Sequence, residues 1–240
     1  MNEKVYSLIL LFFITLFCNC INQKPNRSNN SISGLDSISF NNYWTVEAVN
    51  KLSNGVKFFS DTVEINAEGG FTLWRNEKYT GKIEISYKAC VMYQGFPDDR
   101  LSDLNCFWMA TDPQNTDDIF ERSKWRNGVF ENYYSLQMYY LGYGGNDNTT
   151  TRFRRYDGDY KSFINKKIKP KIITEYNDPA HLLQPNHWYN IRIKCDKQSI
   201  KYFIDGKLLI NFKDPNPFTS GWFGFRTTKA RVRLTQFTVK

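Results

Sequence analysis

Short runs of alternating apolar and polar residues, separated by turn residues, restrict most strongly how this chain can fold. Between residues 83 and 91 the larger apolar residues take every second position, and the same period of two recurs over 189–195. The Asp-Gly pair at 205–206 separates two further runs and predicts a β-hairpin. No stretch after Phe40 keeps the 3.6-residue period of an amphipathic helix. The pattern therefore predicts an all-β domain over residues 39–240.

The size of this domain narrows the fold further. The chain has 240 residues, of which 41% are hydrophobic and 17% aromatic, so the domain has ample material for a packed core. A domain of this length buries roughly 70% of the surface that its unfolded chain exposes. Its sheet edges must be protected, and a jelly roll of two packed sheets does this economically. We therefore expect a β-sandwich of two antiparallel sheets.

Residues 1–20 have the features of an export signal. Lys4 precedes an apolar run over 5–17, which is shorter than the roughly 20 residues of a membrane span. The run ends in two cysteines, and Cys20 matches the lipidated residue of a bacterial lipoprotein better than Cys18, which follows a bulky Phe. We predict a protein that is exported and lipid-anchored to the cell envelope through Cys20. An ordinary secretory signal is the alternative.

The segment after the signal and the net charge restrict the partners. Residues 21–38 are rich in Asn and Ser and predict a flexible tether. The chain carries 32 Lys and Arg against 24 Asp and Glu, a formal net charge of +8, which favours an anionic partner. Basic charge with interleaved aromatic residues also suits nucleic acid, but an exported protein is not expected to meet nucleic acid. We expect an acidic glycan, and contact with the membrane only through the lipid anchor.

The cysteines and histidines argue against a cofactor of the transition-metal kind. The domain contains Cys90, Cys106 and Cys195, an odd number that allows one disulfide at most. Cys90 and Cys106 lie in strand-like runs and could pair, although buried free thiols are the expected state. Two histidines and no Cys-x-x-Cys pair make a His/Cys metal site unexpected.

Several segments resemble known jelly rolls. Residues 200–240, with a DG hairpin and then DPNPFTSGWFGFRTT, are similar to the closing strands of concanavalin A-like jelly rolls. The segments DLNCFWMATDP, YYLGYGGNDNTTTRFRRY and EYNDPAHLLQPNHWYNIRI resemble an uncharacterised bacterial family related to the YesU protein, which occurs among genes for degrading rhamnogalacturonan and other acidic glycans. The resemblance implies a concanavalin A-like fold and an acidic glycan as substrate class. Calcium is common in this fold, so a structural calcium ion stays open, although no contiguous Asp-rich loop identifies its site.

A strand predicted over residues 133–141 presents two unlike faces. One parity carries side chains suited to the core between the sheets, namely Tyr134, Leu136, Met138 and Tyr140. The other carries side chains that are aromatic or hydrogen-bonding, namely Tyr133, Ser135, Gln137 and Tyr139. Aromatic rings stack on sugars and amides bond sugar hydroxyls, so we predict that the second face binds glycan. The alternative is an ordinary solvated sheet face.

Two residues on other predicted strands belong with this face or next to it. If Trp108 lies in the core, Asn105 faces the open side of the sheet and joins the predicted substrate-binding residues. Arg226 alternates with two phenylalanines that suit the core. We expect Arg226 to bridge neighbouring strands rather than to bind substrate.

A turn-rich loop over residues 142–148 leads into an arginine-rich strand over 149–156. On that strand Arg152 and Arg154 share one face. Guanidinium groups suit carboxylates, so we predict that this pair binds a uronic acid. Asn146 and Asn148 of the loop are predicted to assist. The alternative is that the arginines clamp loop carbonyls or neighbouring aspartates.

The residues present favour elimination over hydrolysis. Hydrolysis normally needs two carboxyl groups about 5–10 Å apart, and the Glu-x-Asp-x-Glu spacing of jelly-roll hydrolases is absent. Carboxylates from separate strands remain an alternative. β-Elimination on a uronate needs its carboxylate neutralised, a base at C5 and an acid at the leaving oxygen. We predict catalytic roles for four residues: Arg152 on the carboxylate, and Tyr143, Tyr156 and His181 in proton transfer.

This prediction has a chemical condition. A tyrosine base needs a pKa lowered from about 10, which nearby arginines could provide. The same aromatic and basic face also suits a non-catalytic glycan-binding lipoprotein. The two alternatives differ in whether a product forms.

Overall fold

The computed structural model describes residues 42–49, 55–59, 61–96, 99–159, 161, 164 and 168–240. The predicted signal peptide at 1–20, with Cys20, and the tether at 21–38 lie outside the described residues. No helix of the described part is long and apolar enough to cross a membrane. The described part contains fourteen strands: β1 Trp44–Ala48, β2 Gly55–Phe59, β3 Thr62–Asn66, β4 Gly70–Thr80, β5 Ile83–Met92, β6 Leu104–Thr111, β7 Gln137–Gly144, β8 Thr150–Asp157, β9 Ile172–Tyr176, β10 Tyr189–Asp196, β11 Ser199–Ile204, β12 Lys207–Lys213, β13 Ser220–Thr228 and β14 Arg231–Val239.

The strands form two antiparallel sheets of seven strands each. The front sheet has the order β1-β4-β13-β6-β7-β8-β9, and the back sheet has the order β12-β11-β10-β5-β14-β3-β2. Consecutive strands therefore often lie in different sheets, as in a jelly roll. The predicted all-β sandwich of two antiparallel sheets is confirmed.

The alternation read from the sequence matches the back sheet closely. Ile83, Ile85 and Tyr87 of β5 point into the sandwich, and Ile191 and Ile193 of β10 lie opposite them and are buried too. The predicted hairpin is formed by β11 and β12 around Asp205-Gly206, where both residues have positive φ.

The core between the sheets is largely aromatic. Tyr87 of the back sheet contacts Phe223 and Phe225 of the front sheet, with ring centroids 5.7 and 4.9 Å apart. Trp108 is fully buried and packs on Tyr202, 5.9 Å away. Large rings that reach across the sandwich account for much of its hydrophobic stabilisation. The three cysteines Cys90, Cys106 and Cys195 are buried free thiols.

A second apolar cluster lies on the outer face of the front sheet. It is covered by residues 112–136, here called the cover segment, which contain short helical turns at Ile119–Arg122, Ser123–Arg126 and Phe130–Ser135. The buried members of this cluster are Trp74, Phe107, Ala110, Ile119, Tyr133, Tyr134, Leu136, Met138, Tyr140, Tyr156 and Trp222. The front sheet is therefore buried on part of both faces.

A buried ion pair fastens the cover segment to the sheet. Arg126 is fully buried, and its Nη2 donates to Glu47 Oε1 at 2.6 Å and to the Ile119 carbonyl at 2.6 Å. Tyr133 Oη donates to Glu47 Oε2 at 2.5 Å. Arg122 Nη1 donates to both carboxylate oxygens of Asp112 at 3.2 Å. These bonds pair the buried charges that the segment brings with it.

The cover segment corrects the prediction for residues 133–141. The strand begins at Gln137 rather than Tyr133, and residues 130–135 form a helical turn above the sheet. Tyr139 points into the core between the sheets, whereas Tyr140 points outward, the reverse of the predicted parity. Both parities of this strand are aromatic because both of its faces are buried, so the sequence alone does not reveal the parity.

Candidate functional site

A row of polar residues crosses the outer face of the front sheet from one edge to the other. Strand pairing places its members side by side on the seven strands, in the order Glu47, Thr72, Arg226, Asn105, Gly142, Arg152 and Glu175. The cover segment lies over the Glu47 end. The row continues beyond it over β6, β7 and β8, where two of the predicted substrate-binding residues lie, Asn105 and Arg154.

Arg226 is the buried cation at the centre of the row. It is 4% exposed, donates to Thr72 Oγ1 at 3.0 Å and to the Gly128 carbonyl at 3.1 Å. Its guanidinium also lies 4.8 Å from the ring centroid of Phe130. Arg226 thus bridges strands as the sequence predicts. It forms no ion pair with any carboxylate in the described part of the chain.

Arg152 and Arg154 both lie on this face but differ in their partners. Arg152 forms an ion pair with Glu175 on β9. Arg154 lies opposite Tyr140 and donates to the Pro170 carbonyl. No carboxylate of the described residues pairs with Arg154. The alternative interpretation, in which the arginines bind protein groups, thus describes both residues. Arg152 binds the carboxylate of Glu175, and Arg154 binds a backbone carbonyl and no carboxylate of the described chain.

Three tyrosines surround the inner end of Arg154. The ring of Tyr156 lies 5.8 Å from that of Tyr140 and 6.0 Å from that of Tyr134. The positive charges of Arg154 and Arg226 act on all three phenols. The Glu131 carboxylate also acts on Tyr134 and the Asp103 carboxylate on Tyr140, so the surroundings of these phenols contain acids as well as the two arginines.

The pKa values of Tyr140 and Tyr156 are raised, whereas a tyrosine that acts as a base needs a lowered pKa. Burial raises the pKa of Tyr140, and the Asp103 carboxylate raises it further. The cations Arg226 and Arg154 lower it by less than these two effects raise it. Burial likewise raises the pKa of Tyr156 well above its usual value. Both phenols stay protonated near neutral pH and can donate hydrogen bonds or a proton.

Two buried polar atoms at this place have no partner among the described residues. Asn105 is 5% exposed; its Nδ2 donates to Asp103 Oδ1 at 3.2 Å, while its Oδ1 is unsatisfied. Tyr156 Oη is also buried and unsatisfied. Buried polar groups nearly always have a partner, so each of these two atoms is a candidate to bind water or a ligand group. We call Asn105, Tyr134, Tyr140, Arg154, Tyr156 and Arg226 the front-face site.

Gly142 makes room for the site. A Cβ built at this position lies 2.5 Å from Tyr140 Oη and 2.9 Å from its Cζ. The Tyr140 ring therefore lies flat over Gly142, and its hydroxyl reaches the row of polar residues. A side chain at 142 would displace that hydroxyl.

Tyr143 and His181 lie elsewhere, at the end of the sandwich. They line a cavity of about 440 Å³, here called the end cavity, together with His187, Tyr189 and Asp205. Tyr143 points inward from β7, whereas Arg152 and Arg154 point outward from β8. The predicted convergence of Tyr143 with these arginines is therefore wrong, because they lie on opposite faces of one sheet. Burial raises the pKa of Tyr143 instead of nearby arginines lowering it.

The end cavity contains two histidine–aspartate pairs. His181 Nδ1 lies 2.8 Å from Asp178 Oδ2, and its ring stacks on Tyr176 with centroids 4.1 Å apart. His187 Nε2 lies 2.9 Å from Asp205 Oδ2. Both histidines lie on the connection between β9 and β10. The side chain of His181 forms no hydrogen bond or ion pair with Arg152 or Arg154 in the described residues, and its role in proton transfer stays a prediction.

The remaining predicted site residues are held by protein partners. Asn148 fixes the loop through two hydrogen bonds to the backbone of Leu183. Asn148 Nδ2 donates to the Leu183 carbonyl at 2.9 Å, and Asn148 Oδ1 accepts from the Leu183 N–H at 2.7 Å. Asn146 Nδ2 donates to Thr150 Oγ1 at 3.1 Å. Tyr139 Oη donates to Asp214 at 2.6 Å between the sheets. Gln137 is half-buried at the start of β7, under Gly158, and Tyr133 is bound to Glu47.

Sequence reasoning missed Tyr134 and Tyr140, which it assigned to the core between the sheets. The glycine two residues after Tyr140 was the available signal, since a glycine within a strand indicates a close approach of another group. The described residues contain no group of three His, Cys, Asp or Glu side chains placed to hold a metal ion. The structural calcium ion thus has no ligand cluster of that kind in the described ranges.

Comparison with solved structures places the fold among galectin-like, concanavalin A-like sandwiches. A protein of unknown function with a galectin-like fold from Bacillus subtilis is 17% identical, with a TM-score of 0.67 over 89% of this chain and 94% of that one. The carbohydrate-binding module CBM66 from Bacillus subtilis is 13% identical, with a TM-score of 0.53 over 82% and 94%. The exoplasmic/lumenal domain of VIP36, bound to Ca²⁺ and Man3GlcNAc, is 10% identical, with a TM-score of 0.55 over 88% and 87%. The predicted concanavalin A-like jelly roll is confirmed as the fold.

Sequence comparison gives the family. The chain belongs to DUF6250, a family of domains of unknown function, whose sequence profile matches residues 65–237. No curated protein sequence matches the chain. The matched residues include the six residues of the front-face site.

Proposed function

We propose that this protein binds an acidic, uronate-containing glycan at the front-face site. The carrying observation is that two arginines of this face form no ion pair with a carboxylate of the described residues: Arg154, which lies opposite Tyr140 on the neighbouring strand, and the buried Arg226. A half-buried or buried cation without a counter-ion is costly. A ligand carboxylate would supply the missing charge and accept bonds from the guanidinium of Arg154.

The rest of the front-face site suits a sugar ring. Protonated Tyr140 and Tyr156 can donate to sugar oxygens, and the amide oxygen of Asn105 can accept from a sugar hydroxyl. Proteins of similar fold include the carbohydrate-binding module CBM66 and the exoplasmic/lumenal domain of VIP36 in its Ca²⁺/Man3GlcNAc-bound form. The similarity to these proteins supports a carbohydrate ligand, and the residues of the front-face site indicate which kind of carbohydrate. The arginines are the reason for proposing an acidic one.

Binding is better supported than catalysis. β-Elimination, the reaction favoured by the sequence, needs a base, and burial raises the pKa of the tyrosines that would serve. Hydrolysis would need two available carboxylates, yet Glu47, Asp103 and Glu175 of this face are each bound to an arginine. Elimination stays a prediction that the same experiment tests.

The cellular setting is also a proposal. We infer from residues 1–20 that the protein is exported and anchored by a lipid on Cys20, with residues 21–38 as its tether. We further propose the kinship with the YesU-related family, which would place the protein among genes for acidic-glycan use. Both proposals agree with a protein that captures glycan at the cell envelope.

Calorimetric titration of the full chain with oligogalacturonate tests the proposal. We expect Arg154→Gln to weaken binding roughly 10- to 100-fold, as for the loss of a hydrogen-bonded charge. Arg192→Gln on the outer face of the back sheet is the matched control and should bind normally. Neutral galacto-oligosaccharides should bind far more weakly than the acidic ones. Equal affinity for both glycans, or no effect of Arg154→Gln, would refute the proposal.

Absorbance of the same mixtures decides between binding and elimination. Elimination creates a double bond conjugated with the uronate carboxylate, which absorbs at short ultraviolet wavelengths, so a lyase would give a rising signal. We expect binding without that rise. A rise that Tyr156→Phe abolishes would instead establish the lyase predicted from the sequence.

A further inference from the structure

We propose that the outer face of the back sheet docks on an anionic phospholipid surface. The outward positions of its strands carry eight basic side chains, namely Lys57, Lys88, Arg192, Lys194, Lys201, Lys213, Arg231 and Arg233. The same positions carry three acidic side chains, Glu64, Glu84 and Asp196. More than half of the net charge of +8 therefore lies on one face.

The acidic residues of this basic face do not neutralise its centre. Glu64 pairs with Arg233 at 2.7 Å, and Glu84 pairs with Lys194 at 2.7 Å. The remaining acid is bound to Lys82 at the rim. Lys57, Lys88, Arg192, Lys201 and Lys213 form no ion pair with a carboxylate of the described chain. Their field therefore reaches solvent and falls off within a Debye length of about 8 Å.

The shape of the basic face fits an extended partner. The cations lie on six of the seven strands and extend from β12 at one edge to β2 at the other, a width of about 30 Å at the usual strand spacing. Between them lies a shallow groove of about 330 Å³, where the Arg192 guanidinium lies 4.5 Å from the Phe203 ring centroid. A wide, flat distribution of charge matches a layer of anionic headgroups better than a single small anion.

Apolar side chains border this face on both edges. Phe59 on β2 and Leu208 on β12 point outward and are each 50% exposed. These two strands are the opposite edges of the back sheet. Cations at the centre with exposed apolar side chains at the rim are typical of surfaces that lie in a membrane interface.

The chain before the described domain brings the face near a membrane. If Cys20 carries the predicted lipid, residues 21–41 join the anchor to the described domain and can reach at most about 70 Å. The domain then stays at high effective concentration beside the bilayer. Docking by the back sheet would turn the front-face site away from the lipid. The proposal does not depend on what the front-face site binds.

Co-sedimentation of the full chain with vesicles tests the proposal. Vesicles of phosphatidylcholine alone are compared with vesicles that also contain phosphatidylglycerol, and the measured quantity is the ratio of the two partition coefficients. Because the run at 5–17 is apolar and uncharged, we expect it to contribute equally to both partition coefficients and to cancel in their ratio. We expect a preference of at least about 100-fold for the anionic vesicles, weakening with salt.

Two triple variants with the same change in net charge complete the test. Lys88→Glu, Arg192→Glu and Lys201→Glu together should abolish the preference, whereas Lys124→Glu, Lys171→Glu and Lys229→Glu should leave most of it. Equal losses in both variants, or equal partition of the original chain, would overturn the proposal. If the first variant loses oligogalacturonate binding instead, the face is a glycan site and the lipid proposal is wrong.

Discussion

On the back sheet the outward side chains of β10 and of β5 from Glu84 to Lys88 are polar and their inward neighbours apolar, whereas on the front sheet both faces of β6 and β7 are buried. Antiparallel sheets with one solvated face give the clean alternation of the first kind. Strands covered on both faces lose it, and Leu104–Thr111 is buried at seven of its eight positions. The comparison separates two uses of one fold: a solvated basic face and a covered face with a polar row.

The difference also changes the energetic value of a charge. On the front sheet Arg126 and Glu47 are both fully buried, so neither is screened by water. On the back sheet Arg233 remains partly exposed beside Glu64. Removing one partner of a buried pair leaves an uncompensated buried charge, whereas exposed pairs contribute little.

Removing one carboxylate from each sheet should give the largest difference in the free energy of unfolding. We expect Glu47→Ala to lower the free energy of unfolding by about 3–5 kcal/mol, because Arg126 loses its hydrogen-bonded carboxylate and keeps only the more distant Asp112, 3.6 Å away. Glu64→Ala, the matched variant on the back sheet, should cost about 0–1 kcal/mol. Denaturant unfolding of both variants measures the difference. Similar losses would show that the cover segment is not held by the buried pair.

Alkaline pH should destabilise the front face through its tyrosines. Burial raises the pKa of Tyr133, Tyr134, Tyr140 and Tyr156 above the usual 10.0. Their contribution is fully present below pH 10 and is lost as the pH rises towards the folded pKa, because only the unfolded chain releases the protons. Each group contributes a slope of up to about 1.4 kcal/mol per pH unit, so the four predict a loss on the order of 3 kcal/mol between pH 10 and 11.

Denaturant titrations at these pH values check the prediction, with absorbance reporting tyrosinate. In the double variant Tyr134→Phe, Tyr156→Phe, the free energy of unfolding should fall less steeply with pH, because two of the contributing phenols are absent. The outward positions of the back-sheet strands in the described ranges contain no tyrosine, so substitutions there should not alter the slope. An unchanged slope in the double variant would place the responsible tyrosines in the core between the sheets.

Glycine substitutions probe the space above each sheet. At Gly142 a Cβ meets the buried ring of Tyr140, so Gly142→Ala should cost about 1–3 kcal/mol and weaken glycan binding. At Gly55 on the back sheet a Cβ meets nothing within 4 Å, so Gly55→Ala should be neutral within about 0.5 kcal/mol. Thermal unfolding measures both. A tolerated Gly142→Ala would mean that Tyr140 has another position available.

The sequence contains enough information for the sandwich and for much of the back sheet. The period of two in β5 and β10 is visible because water and core differ across those strands. The Asp-Gly turn between β11 and β12 is local chemistry that needs only positive φ at two residues. Arg154, Tyr156 and Asn105 lie on the predicted front face because strand parity within a single short run is also local.

The cover segment could not be predicted in the same way. Residues 112–136 lack alternation and contain short helical turns whose stability comes from packing and from the buried bonds of Arg126. Those bonds join positions 79 residues apart along the chain. Once the segment covers the sheet, the outer face of β7 becomes apolar, and the parity of Tyr139 and Tyr140 is no longer readable.

The separation of Tyr143 from the arginines has a related cause. Predicting their convergence requires the relative register of β7 and β8, which depends on the turn at 145–148. That turn contains three non-glycine residues with positive φ, Asn146, Asp147 and Asn148. It pairs Gly142, not Tyr143, with Arg152. A one-residue change in register moves a side chain to the other face of the sheet.

Removing single hydroxyls should give the smallest effect and separates stability from binding. Tyr133 Oη is bonded to Glu47, so Tyr133→Phe should cost about 1–3 kcal/mol. Tyr156 Oη is buried without a partner, so Tyr156→Phe should be neutral or stabilising by up to about 1 kcal/mol. If the hydroxyl is kept for a ligand, the same Tyr156→Phe variant should bind oligogalacturonate more weakly although it is no less stable. A stability loss equal to that of Tyr133→Phe would show that Tyr156 is bonded in the free protein, and the unsatisfied oxygen of Asn105 would then be the remaining sign of a vacant partner at this site.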